Sequence, residues 1–201
     1  MKHLRLSALT GLVTALVVSL TLVGPQAHAA KVTGDNLPTG DEITAIFPSM
    51  TDAESTTRKS PRLSYPKGCE GEAVVKGNSG RSIDLFTFDG WPIAVTAQVV
   101  EVGSKAKARK ATNAFRTFVK KCRSFKEDGF KIKVSSRNLP KVGQQRVGMS
   151  MRMTQEGMSM RGAIAVVRQG KRVAMVTVAD MRKINTKKYN KLVKLAAKKM
   201  R

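Results

Sequence analysis

Between Phe130 and Ala179 the chain carries four successive strand signals, and this stretch constrains the fold more than any other part of the sequence. Phe130, Ile132 and Val134 alternate with Lys131, Lys133 and Ser135. Val147, Met149, Met151 and Met153 repeat the pattern, and Met158 to Val167 and Arg172 to Ala179 follow. A two-residue period sends alternate side chains to opposite faces of a sheet. The breaks are turn signals at Asn138 to Gly143, Gln155 to Gly157 and Gln169-Gly170-Lys171. Short connections of this kind join antiparallel neighbours, so the segment predicts a meander.

Upstream the period changes. Ala108, Ala111, Phe115, Phe118, Cys122 and Phe125 recur every three or four residues, and Val119 widens the stripe. That spacing predicts a helix capped by Ser104 and running to the region of Phe125, with lysines and arginines on its other faces. Ile93 to Val102 reads as a strand with Ile93, Val95, Ala97 and Val99 on one face, and Gly71 to Lys76 as a first strand ending in the turn signal Lys76 to Gly80. Thr186 to Met200 predicts a closing helix with Tyr189, Leu192, Val193, Ala196 and Met200 along one side. Ile43, Ile46 and Phe47 fit a short helix stopped by Pro48, whereas residues 31 to 40 and 49 to 64 have the composition of loops or a mobile stem. The expected fold class is α+β: an antiparallel β-sheet with helices packed on one face. The expected layout is a signal peptide over residues 1–29, a lead-in with a short helix over 30–64 and one domain over 65–201.

The signal peptide rests on Lys2 and Arg5, the apolar stretch Leu12 to Val23, and the cleavage motif Ala27-His28-Ala29. A retained anchor is the competing reading, but the stretch is shorter than the roughly 20 residues a spanning helix needs. Both histidines, His3 and His28, lie in the segment to be removed, so a chain beginning at Ala30 has no imidazole for acid/base chemistry or a Ser-His-Asp triad. Asp84 and Asp89 are the nearest thing to a carboxylate pair, and Asp89-Gly90 reads as a turn. No cofactor motif or catalytic signature is present, and the chain is read as non-catalytic. In an oxidising compartment Cys69 and Cys122 are expected to form one disulfide, with two buried free thiols as the alternative. Cys122 lies on the apolar helix stripe, which favours a bridge pinning that helix to the segment around Cys69.

Charge is divided unevenly. Without Lys2 and Arg5, 35 basic and 14 acidic residues leave a net charge of +21. Residues 31 to 100 hold 7 basic and 9 acidic side chains, whereas 101 to 201 hold 28 and 5. Such a field captures polyanions with a strong dependence on salt. For an exported protein the candidates are anionic cell-envelope polymers and lipid headgroups; the export signal and the scarcity of aromatic residues argue against nucleic acid.

Taken in order, the short helix Asp41 to Phe47, Cys69, the strand Ile93 to Val102, the Phe-rich helix with Cys122 near its end and the terminal sheet and helix resemble an actinobacterial family. These are the sensor-like domains related to the extracellular domain of PknH-type serine/threonine kinases, which also occur as free secreted proteins. The resemblance covers most of residues 30–201 and implies a secreted sensor-like domain that binds a ligand. This chain departs from the family in having no second disulfide and in placing Phe118 and Val119 where a Trp often precedes the helix cysteine. It carries neither a kinase catalytic loop nor an Asp-Phe-Gly motif. An envelope accessory module that docks on an acidic partner is the alternative function.

The candidate site follows from alternation. If the methionines of Val147 to Met153 face helices, then Ser150, Arg152 and Thr154 face away from them, together with Ser159, Arg161, Lys131, Lys133, Ser135 and Arg137. Guanidinium forks beside hydroxyls suit phosphate or carboxylate, so Lys131, Lys133, Arg137, Ser150, Arg152, Ser159 and Arg161 are the expected anion-binding residues, against the alternative of an ordinary solvated face. Met149, Met151, Met153, Met158, Met160 and Met175 read as core filling or as the lining of a hydrophobic groove. The basic closing helix either packs on the sheet or lies on an anionic membrane surface.

Overall fold

The computed structural model describes residues 31–66, 69, 72–87, 93–127 and 129–201. The expected signal peptide and the Asp89-Gly90 turn lie outside these residues. Eight strands form one sheet: β1 (Glu54–Lys59), β4 (Ser79–Thr87), β5 (Ile93–Glu101), β6 (Ser124–Glu127), β7 (Phe130–Ser136), β8 (Gln145–Gln155), β9 (Met158–Gln169) and β10 (Arg172–Asp180). Their order across the sheet is β1-β4-β5-β10-β9-β8-β7-β6, antiparallel at every step. A separate hairpin pairs β2 (Arg62–Pro66) with β3 (Glu72–Lys76). The meander expected from Phe130 onward is β7 to β10.

Among the described residues three α-helices cover the sheet: α1 (Gly40–Ile46), α2 (Lys105–Lys121) and α3 (Thr186–Lys199). The α+β class, the antiparallel sheet and the Cys69–Cys122 disulfide stand as read. The helices, however, are divided between the two faces rather than gathered on one. Ala163, Ala165 and Val167 of β9 and Ala174, Val176 and Val178 of β10 pack with Tyr189, Leu192 and Val193 of α3 and Ile43 of α1. The intervening Ile164, Val166 and Val173 pack with Phe115, Phe118 and Val119 of α2. Nearly every position of β9 from Ala163 to Val167 is apolar, and a strand apolar on both sides needs cover on both sides. That unbroken run is where the one-face expectation fails.

The segment expected to be a loose stem is built into the fold. Val32, Leu37 and Met50 are buried in the α3-side core, and β1 and β2 occupy much of residues 49 to 64. Residues Lys31–Arg201 form one compact unit. Gln98 of β5, nearly buried, fixes the corner between β1 and β2 by donating from Nε2 to the Ser60 and Arg62 carbonyls and to Ser60 Oγ.

Helix α2 starts as expected, Ser104 Oγ accepting from the Lys107 N–H at 3.1 Å, but it ends at Lys121 rather than near Phe125. Cys122 is its C-cap, the disulfide ties it to Cys69 with a Cα–Cα distance of 5.1 Å, and Ser124–Glu127 continues as β6. Phe125 still packs edge-on against Phe118, ring centroids 6.0 Å apart. Met149 is fully buried, with Met151, Met153 and Met175 against the same α2-side core, whereas Met158 at the β8–β9 hairpin is exposed. The first four are core filling. The apolar stripe of α3 is buried from Tyr189 to Met200, so it is packed on the sheet and not available to a membrane.

Candidate anion-binding site

The strand register decides which of the expected residues meet. Lys133 of β7 is the cross-strand partner of Arg152 of β8, and Arg152 is the partner of Arg161 of β9. Three cations therefore stand side by side on adjacent strands, about 4.8 Å apart at the backbone. A second row runs Lys131, Thr154, Ser159. Lys131, Lys133, Arg152 and Arg161 are exposed, and Arg152 Nε donates to Ser159 Oγ at 3.2 Å. Like charges directly opposite one another destabilise a sheet, so this row gains from a bound anion more than scattered lysines would.

The face that carries these rows is the α3 side, because Ser150 pairs with Ala163 of the α3-side core. Helix α3 therefore borders the site instead of leaving the face open. Arg137, just beyond β7, joins the two. Its guanidinium donates to Ser150 Oγ at 3.2 Å and to Thr186 Oγ1 at 3.0 Å, and lies 4.7 Å from the centre of the Tyr189 ring. Tyr189 is fully buried, donates to the Val176 carbonyl at 3.4 Å, and has its pKa pushed well up by desolvation, which the charge of Arg137 only partly opposes. It stays a neutral aromatic platform for the cation.

Between the sheet and the start of α3 these residues enclose a cavity of about 170 Å³ lined by Arg137, Ser150, Arg161, Lys183, Ile184 and Thr186, among others. Three of the seven expected residues, Arg137, Ser150 and Arg161, line it. Lys131, Lys133, Arg152 and Ser159 are not in the cavity and extend the basic surface along β7 to β9. Lys183 and Thr186 were missed; a hydroxyl at the first position of a predicted helix was the available signal for Thr186. The positive end of the α3 dipole adds to the field here.

Among the described residues Lys131, Lys133, Arg152 and Arg161 have no ion-pair partner, but the row ends in a carboxylate, because Asp180 of β10 is the cross-strand partner of Arg161. Asp180 itself pairs with Arg182 at 3.5 Å, and the other acidic side chains in ion pairs are engaged elsewhere: Asp84 with Arg58 at 3.1 Å, Glu101 with Arg172 at 3.8 Å and Glu42 with Lys199 at 2.9 Å. Asp84 also accepts from Thr96 at 2.8 Å, so half of the carboxylate pair considered from sequence is held in a structural contact. Among the described residues no three His, Cys, Asp or Glu side chains form a metal-binding group, and no helix is long and apolar enough to cross a membrane.

No protein-family model matches the chain, and no curated protein matches it in sequence. Its fold is similar to that of the extracellular domain of PknH from Mycobacterium tuberculosis, with a TM-score of 0.50 at 11% identity over 82% of this chain and 91% of that one. An uncharacterized Rv0999 ortholog from Mycobacterium smegmatis is similar with a TM-score of 0.48 at 13% identity, over 79% of this chain and 94% of that one. The PknH resemblance read from element order holds at the level of fold.

Proposed function

We propose that the protein is a secreted, non-catalytic, sensor-like domain that binds an anionic envelope component through the basic face of β7 to β9. The observation that carries this reading is the in-register row Lys133, Arg152 and Arg161, which opens at Arg161 into the cavity beside α3. A row of cations at strand spacing matches a polymer or membrane surface bearing repeated phosphates, and the hydroxyls of Ser150, Ser159 and Thr186 supply neutral donors beside them. The fold shared with the PknH extracellular domain supports the sensor-like part of the reading.

The test is binding of the wild-type protein and of an Arg152→Gln/Arg161→Gln variant to teichoic acid, anionic liposomes and duplex DNA, at low and at physiological salt. The reading expects preference for an envelope component that persists at physiological salt and weakens at least tenfold in the variant. Equal binding to all three that salt abolishes, with the variant unchanged, would overturn it.

A further inference from the structure

A larger cavity, about 420 Å³, lies on the other side of Arg137, where Arg116 of α2, Arg137, Asn138, Gln144, Gln145 and Arg146 converge. Its position follows from the sheet. β7 ends at Ser136 opposite Met149, so the first residues of β8, paired with β9 on one side, have no strand on the other. The connection from Arg137 to Gln144 crosses this gap, fastened by the Arg137 N–H on the Gly148 carbonyl at 3.0 Å and the Gln144 N–H on the Arg168 carbonyl at 2.8 Å. Gly148 is required for that approach, since a Cβ there would lie 2.8 Å from Leu139 Cγ.

The charged groups at this cavity are all hydrogen-bond donors, and Asn138 adds an uncommitted amide. Arg116, Arg137 and Arg146 are each half-buried, and none has a carboxylate partner among the described residues. Arg116 is held in place by Nη1 donating to Asn113 Oδ1 at 2.6 Å. Arg137 Nε is buried without a partner. Gln144 spends its amide oxygen on the Gly170 N–H at 3.0 Å, and Gln145 spends its own on Arg168 Nε at 2.7 Å. Both partners can only donate, so the oxygens are fixed in those contacts and the NH2 groups remain unspent. Three partly desolvated guanidiniums and two spare amide donors, without a counter-ion, form an uncompensated positive site that an oxyanion would neutralise.

From this arrangement we infer that the cavity is a binding site for a small organic molecule or ion bearing two or more phosphate or carboxylate groups, distinct from the sheet-face surface. Its size suits a molecule rather than a polymer segment, and arginines on three different elements suit separated anionic groups better than a single one.

The experiment is calorimetric titration of the protein with pyrophosphate and with citrate, inorganic phosphate serving as the single-group comparison. Wild type is expected to bind at least one of the two multivalent probes at one site, at least tenfold more tightly than phosphate. Arg116→Gln and Arg146→Gln should each weaken that binding tenfold or more, with unchanged thermal melts showing that the fold is intact. Arg152→Gln/Arg161→Gln should leave it within about twofold, because charge-assisted contacts act at the cavity and exposed charges are screened. Equal weakening by the sheet-face variant would reduce the effect to bulk charge and overturn the site, as would unchanged affinity in Arg116→Gln/Arg146→Gln or no binding of either multivalent probe. The proposed envelope binding fails on different variants, so the two readings are separable.

Discussion

Replacing Arg152 with Gln tests the cation row directly, because it should make the protein more stable. Arg152 stands between Lys133 and Arg161 on adjacent strands. Charged ends about 7 Å apart in water repel by about 0.6 kcal/mol, so two neighbours amount to about 1.2 kcal/mol unscreened. At physiological ionic strength screening over a Debye length of about 8 Å reduces this to about 0.5 kcal/mol. Against the gain stands the exposed hydrogen bond from Arg152 Nε to Ser159 Oγ, worth about 0.5 kcal/mol. The net expectation is stabilisation of roughly 0.4–0.7 kcal/mol at low salt, falling to near zero at physiological salt. For a domain of this size that is a rise in Tm of roughly 1–3 °C, read by thermal melts in 10 mM and 150 mM NaCl. Lys31→Gln is the control, since Lys31 is exposed and lies outside any strand. Destabilisation of Arg152→Gln at low salt, or a gain no larger than that of Lys31→Gln, would refute the argument from register.

Two further outcomes follow from the scaffold. The Cys69–Cys122 bridge closes a sequence separation of 53 residues, so Cys69→Ser/Cys122→Ser should lose about 4 kcal/mol in urea unfolding on the chain-entropy account; a loss below about 1 kcal/mol would contradict it. Glu42 Oε2 accepts from the Thr39 N–H at 2.8 Å, and this contact is the largest single cause that holds the Glu42 carboxyl below its ordinary pKa, with Lys199 adding to it and burial opposing the shift. A depressed folded pKa gives stability that is present above the ordinary value of 4.5 and is lost as pH falls through the folded one. The Tm difference between wild type and Glu42→Gln should therefore shrink from pH 6 to pH 3. Lys199→Gln should retain the part of that pH dependence that the Thr39 contact supplies.

Where apolar side chains mark one face of an element, the sequence was mostly sufficient; where backbone pairing alone makes the element, it was silent. Strand β1 is exposed at all of its positions, Glu54 to Lys59, so it has no period to read and exists only by pairing with β4. β4 was missed by the sequence reading, although Ile83 and Leu85 alternate with polar residues and are buried. The end of α2 was not legible, because Phe125 meets Phe118 whether the chain continues as helix or turns into β6. The same distinction governs the sites. Alternation correctly placed Ser150, Arg152, Ser159 and Arg161 on one face, since that is a local property of strands. The contact of Arg137 with Thr186 spans 49 residues, and Arg116 looks like any other cation on the polar side of a helix. Neither could be read without the pairing of β7 with β8 and the docking of α3 and α2.

Composition alone makes unpaired cations inevitable here, since residues 101 to 201 hold 28 basic side chains and only 5 acidic ones. What composition does not require is where the unpaired ones stand. Solvation favours long cationic side chains fanned into water and away from one another. The lysines on the outer sides of α2 and α3, such as Lys107, Lys120, Lys187 and Lys194, are exposed in this way. The row Lys133, Arg152 and Arg161 breaks the rule on separation, and Arg116, Arg137 and Arg146 break the rule on exposure. These departures predict different salt behaviour. Interactions at exposed cations are screened over about 8 Å at physiological ionic strength, whereas those at partly buried guanidiniums are screened much less. Sheet-face binding should therefore weaken more steeply with salt than cavity binding while persisting at physiological ionic strength, and anion binding that survives Arg152→Gln/Arg161→Gln points to the cavity behind Arg137.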